Sequence, residues 1–230
     1  MGLAERDYSR RASRSSGFGA LREWSATTWL ITVFLVVFFL DAMITPVWSL
    51  DVYTPIVRAT SFSYESAIEQ HQIWRFITFP LAHEHVWALA LNLVSLSLFA
   101  RGMGEALGGK RLVALFAMCS LAAPLTYLAI YSSHFSIKEP WFALAGASAG
   151  VLGILVAAAY AGPNDDVAIW NTGLILPRRT LAWFAAALMA IVVIKQDPTG
   201  ASMAHLGGAV AGILLLPLVR RWMRRPRGTN

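Results

Sequence analysis

The 230-residue sequence has little charge and almost no cysteine. Only 14% of its side chains are charged, 19 Lys+Arg and 13 Asp+Glu, against about 25% in an average soluble domain. That is too few to coat a water-soluble globule of this size, and with 57% hydrophobic residues the bilayer is the better-matched solvent. At about 20 apolar residues per span, the chain supports about six spans and leaves no room for a second folded domain. A single cysteine, Cys119, excludes an intramolecular disulfide. There is no CxxC or Cys/His cluster for zinc or iron–sulfur binding, so neither a metal nor a cofactor is expected. The start of the chain lacks the apolar stretch and small-residue cleavage site of a signal peptide. Residues 1–25, with Arg6, Arg10, Arg11, Arg14 and Arg22 among serines and glycines, are predicted to be a disordered basic tail.

Long apolar runs occupy residues 26–45, 86–100, 112–131, 142–161, 180–194 and 203–219, with Pro46, Pro140, Pro163, Pro177 and Pro198 between them. The predicted membrane domain is therefore 26–219, followed by a second basic tail over 220–230. An even number of spans puts both termini on one side. Placing them in the cytoplasm puts 15 of the 19 basic residues there and leaves only Arg58, Arg75, Lys138 and Lys195 outside, as the retention of Lys and Arg requires. Tryptophans 29, 48, 87, 141, 183 and 222 fall near span ends, where an indole buries its rings and keeps its N–H wet. The net charge of +6 reads as retention charge that also favours anionic headgroups, and no nucleic-acid partner is expected. A forty-residue outer connection, 46–85, is long enough to carry structure of its own and is predicted to be partly helical, resting on the membrane.

Among the polar groups inside the apolar runs, Asp41, Asn92, Ser148 and His205 are the informative ones, with Glu105 near the inner end of the second span. Each must be paired, wet or functional, because an unpartnered buried polar group costs about 2–7 kcal/mol. With the N-terminus inside, the second, fourth and sixth spans run inward, so Asn92, Ser148 and His205 are predicted at one shallow depth. A residue six positions into a helix lies roughly 9 Å below its start. The pairs Gly146/Gly150 and Gly208/Gly212 let the fourth and sixth spans approach closely, bringing a serine hydroxyl near an imidazole that can take its proton. Ser148 alone would read as a packing residue, whereas an ionisable group such as His205 inside a span points to function. Asn92 suits an interhelical hydrogen bond as well as catalysis. Asp41 is given no role, and Glu105 is expected to tether the inner loop through Lys110 or Arg111. His83-Glu84-His85 lacks the second histidine of HExxH, since Trp87 stands there. A transporter reading lacks an inverted repeat.

The ordered set Trp74-Arg75, His83 to Asn92, Gly146-Ala147-Ser148-Ala149 and His205-Leu206-Gly207-Gly208 continuing to Gly212 resembles the rhomboid family of intramembrane serine proteases, of the basic six-span kind. The resemblance implies an all-α six-helix bundle with a long, partly helical first outer loop, acting on transmembrane protein substrates within the lipid bilayer. It also implies a Ser148–His205 dyad with Ser148 as nucleophile and His205 as base. The oxyanion would be met by the Ser148 N–H and the Asn92 amide, with His83, His85 and Gly146 as supporting residues. A bacterial-type plasma membrane is the expected location. Three positions depart from the family pattern. Ala149 follows the nucleophile where glycine is common, Ala88 replaces a histidine four residues before Asn92, and Leu152 replaces a tyrosine four residues after Ser148. Ala88 and Leu152 motivate the alternative of a pseudoprotease that binds client transmembrane helices without cutting them.

Overall fold

The computed structural model describes residues 24–45, 54–133, 143–168, 175–196 and 201–224. Most of both expected tails lies outside these residues, as does part of the outer connection (46–53) with Trp48. Pro46, Pro140, Trp141, Lys138 and Pro198 also lie outside them.

Six apolar helical segments stand where the six runs were expected. Helix α1, Ala26–Ile44, starts where the Ser25 hydroxyl accepts the Thr28 N–H at 3.1 Å, satisfying one orphan donor of the first turn. The outer connection then carries short helices α2, Pro55–Thr60, and α3, Arg75–Thr78. Helix α4 spans Val86–Leu107 with a π turn at Leu96–Ala100, and ends at Gly108, whose φ of 87° suits glycine. Helices α5, Gly109–Ser133, α6, Ser148–Ala161, α7, Arg178–Gln196, and α8, Ala201–Leu214, follow, and α8 leads through a 46° bend into α9, Leu216–Arg224. Among the described residues, three helices are long and apolar enough to cross a membrane, α1, α4 and α5, with a fourth if α8 and α9 form one broken span.

Several boundaries differ from the sequence expectation. The second apolar segment runs on to Leu107, because Arg101–Leu107 continues the helix beyond the π turn. The fourth starts six residues later than 142, because residues 143–147 are held by contacts to the outer connection. The sixth breaks after Leu214 and continues as helix to Arg224, taking in residues assigned to the C-terminal tail. The all-α expectation also missed a small antiparallel hairpin, Asp166–Ala168 with Ile175–Pro177, between α6 and α7. Arg178 fastens it, with its guanidinium on the Asp165 carboxylate and on the Leu98 carbonyl at 2.8 Å. Glu105 pairs with Arg101 at 3.2 Å instead of the expected Lys110 or Arg111, since Arg101 lies one turn back on the same helix face. Arg111 instead donates to the carbonyl of Trp222.

The core is a small-residue seam. Helix α6 is buried along almost its whole length, and α8 approaches it so closely that a methyl on Gly208 would overlap the carbonyl of Ala149. A methyl on Gly212 would stand 2.7 Å from the carbonyl oxygen of Gly153. The glycine pair expected on α8 therefore does the expected work, but it meets Ala149 and Gly153, not Gly146/Gly150. Gly150 faces Phe116 and Ser120 of α5, and Gly146 lies before the helix begins.

The outer connection is built around one buried guanidinium. Arg75 donates to the carbonyls of Arg58 at 2.7 Å and Ser61 at 2.6 Å and to Gln72 Oε1 at 2.6 Å. Asp41, buried at the end of α1, accepts from the Ile56 N–H at 2.9 Å and from the Thr54 hydroxyl, tying α1 to the start of α2. Replacing Arg75 by Ala strands two carbonyls and is expected to cost on the order of 2–5 kcal/mol. The readout is thermal unfolding in detergent, where Arg75→Lys should recover only part of the loss because an ammonium cannot reproduce the planar fork.

Candidate functional site

Ser148 is the first residue of α6, His205 the fifth of α8 and Asn92 the seventh of α4. The three therefore sit near the N-terminal ends of their helices. For Ser148 the reason differs from the expected one, as it does not lie two turns down a helix. Its helix starts late, because the five residues before it are pinned in non-helical form. Phe62 and Leu144 exchange backbone hydrogen bonds of 2.9 and 2.7 Å, Gly146 donates to the Phe79 carbonyl at 3.0 Å, and Ala147 donates to His83 Nε2 at 3.5 Å. Gly146 holds φ at 97°, a left-handed conformation that an L side chain resists, so the glycine is required by the turn.

The Ser148 Oγ lies 2.9 Å from His205 Nδ1. A hydroxyl at the start of a helix has no preceding turn of its own helix to bond back to. Here it meets an imidazole delivered by α8 across the glycine seam. His205 and Asn92 are buried, and Ser148 is partly exposed. As the opening residue of α6, Ser148 also leaves its own N–H without an intrahelical acceptor, at the helix end that carries positive partial charge.

His83 joins the remaining pieces. Its Nδ1 faces the Leu81 carbonyl at 3.3 Å and so carries the proton. That leaves Nε2 as acceptor, 3.3 Å from the Asn92 amide nitrogen and 3.5 Å from the Ala147 N–H. One of the two Asn92 donors is thereby used and the other is left over. Burial pushes the His83 imidazole down to about 4, so it is neutral at physiological pH. Because the folded state resists a proton that an ordinary histidine accepts near pH 6.5, His83 stabilises the fold fully above that pH. The contribution falls as pH drops from about 6.5 toward 4. The His83 ring resonances are expected not to titrate between pH 8 and 5, and His83→Gln is expected to flatten the loss of thermal stability over that range.

The supporting residues expected from sequence divide. His83 and Gly146 are at the site. His85 is not brought to Asn92: it precedes α4 as an exposed cap and stacks on Trp87, with ring centres 6.0 Å apart. Ala88 lies on α4 one turn before Asn92, where it offers only a methyl group. Phe79 was missed by the sequence reading. Its ring lies 6.4 Å from the His205 imidazole, while its carbonyl holds the Gly146 turn. Its only sequence signal is its place in the outer connection between Trp74-Arg75 and His83.

A family model described as Rhomboid domain matches residues 70–222, which takes in every residue of this cluster. The chain is also similar to Rhomboid-like protease 3 of Toxoplasma gondii, at 20% identity over 223 residues covering 91% of this chain and 79% of that protein.

Proposed function

Starting from the premise that this chain belongs to the rhomboid family, whose domain model covers more than half of it, we propose that it is an intramembrane serine endopeptidase using a Ser148–His205 dyad. The chain is an integral membrane protein, and the large exposed apolar side chains of its helices, Phe39, Met43, Leu125 and Phe184 among them, suit contact with lipid. The observation that carries the reading is the 2.9 Å contact between the Ser148 hydroxyl and His205 Nδ1.

In this mechanism His205 takes the Ser148 proton as the hydroxyl attacks a peptide carbonyl, then returns it to the leaving amine. The Ser148 N–H and the spare Asn92 donor meet the oxyanion, each such donor contributing about 2.7–4 kcal/mol to the transition state. His83 holds Asn92 and the Ala147 backbone in place for that task. Six crossings with both termini cytoplasmic put Ser148 below the outer face. At about 1.5 Å per residue, the 14 residues of α6 fall short of the roughly 30 Å hydrocarbon core, leaving space above Ser148 for water. The substrate is the transmembrane or juxtamembrane segment of another membrane protein, unwound locally at helix-breaking or small residues. A bacterial-type plasma membrane is the proposed setting.

The pseudoprotease alternative draws on Ala88, which gives the oxyanion no donor, and on Leu152, which is buried where the family carries a tyrosine. The test is reconstitution with a single-span substrate carrying a destabilised segment, alongside labelling with a fluorophosphonate. Cleavage and labelling are expected from the unaltered chain. Client binding with neither cleavage nor labelling would decide for the alternative.

A further inference from the structure

The C-terminal helix α9 has two faces of opposite character. Leu216 and Val219 are buried, Trp222 and Met223 pack on the core, and Arg111 donates to the Trp222 carbonyl at 3.0 Å. These contacts fix the roll of the helix. The other face carries Pro217, Arg220, Arg221 and Arg224 around a cavity of about 430 Å³. All three arginines are exposed, α9 contains no acidic residue, and among the described residues no carboxylate pairs with any of the three. Three guanidinium groups within about one helical turn repel one another unless an anion joins them.

We infer that this face binds the phosphate of an anionic phospholipid headgroup. Guanidinium forks match phosphate oxygens in bidentate geometry. The position favours a lipid over free phosphate. Just before the bend, Val210, Ile213 and Leu214 expose apolar side chains, Leu214 to 73%, so an acyl chain lying along the end of α8 brings its headgroup to the arginines. Basic residues within a Debye length of an anionic leaflet are attracted to it, and here three are gathered on one cavity. This site requires the chain to be in a membrane and is independent of whether Ser148 cleaves anything.

The test is native mass spectrometry of the full chain in a neutral detergent, titrated with phosphatidylglycerol or phosphatidylcholine. The unaltered protein is expected to retain phosphatidylglycerol at least tenfold better than phosphatidylcholine, less so as salt is raised, and millimolar inorganic phosphate should not displace it. Removing all three charges, Arg220→Gln with Arg221→Gln and Arg224→Gln, is expected to weaken retention on the order of a hundredfold, from about fivefold per charge. Arg101→Gln, elsewhere on the cytoplasmic side, should leave it unchanged. Should the triple glutamine variant fail to fold, the triple lysine variant keeps the charge but loses the fork and should bind several-fold more weakly. Equal retention of the two lipids, a phosphatidylglycerol preference that survives either triple variant unchanged or ignores salt, or full displacement by inorganic phosphate would each overturn the assignment.

Discussion

Ser148→Ala is expected to lower cleavage by roughly four orders of magnitude or more while leaving helical content and thermal stability near those of the unaltered chain. The hydroxyl is a small group at a helix start, and it hydrogen-bonds His205 Nδ1. Under the proposed mechanism, removing it takes away the attacking atom without opening a cavity. His205→Ala should cost about as much, and the double variant should be no worse than either single one, because nucleophile and base act as one unit. Multiplicative losses in the double variant would show that the two residues act separately. Residual cleavage by both single variants at the unaltered rate would remove the dyad altogether. Asn92→Ala should fall between these extremes, since it removes one oxyanion donor and leaves the attack intact.

The second large effect concerns a residue that touches no substrate. Gly208→Ala is expected to reduce activity about a hundredfold or more and to lower thermal stability by about 1–3 kcal/mol. The added methyl would overlap the Ala149 carbonyl, so α8 must move away from α6 and carry His205 with it. Ala149 directly follows Ser148, the proposed nucleophile, so the displacement falls on the 2.9 Å contact itself. A shift of about 1 Å is enough for a loss of that size. Gly102→Ala is the matched control, because its methyl would meet Pro163 and Arg178 only at ordinary contact distances of 3.8–4.0 Å. If Gly208→Ala retained full activity, the glycine seam would have no part in positioning the imidazole.

Much of this was legible in the sequence because lipid imposes a simple rule. A segment without water must be apolar and helical, and among the described residues each of the six apolar runs overlaps a helix, though three of them end or begin elsewhere than expected. An imidazole and a carboxamide inside those runs stood out for the same reason, which is how His205 and Asn92 could be picked from a chain of 230 residues, while Ser148 was singled out by its shared depth with them and by its glycine-rich surroundings. The closeness of α8 to its neighbour was readable from Gly208 and Gly212, since small residues four apart mark one helix face.

Features that depend on contacts between distant segments were not readable. The late start of α6 comes from the outer connection, where the Phe62 and Phe79 backbones and the His83 imidazole hold residues 144–147 by hydrogen bonds to their backbone groups. An apolar pattern cannot reveal that, because Leu144 and Ala147 are as apolar as a helix would have them. The choice of Ala149 and Gly153 over Gly146 and Gly150 as the seam depends on the rotation of α6, which its all-round burial leaves unmarked in the pattern. His85 and His83 look equivalent two positions apart, yet one lies on the surface against Trp87 and the other is buried between Asn92 and Ala147. The sequence by itself determined which groups were out of place in an apolar medium. Tertiary packing decided which of them meet, because distance between side chains depends on helix rotation and on where each helix begins, and composition carries neither.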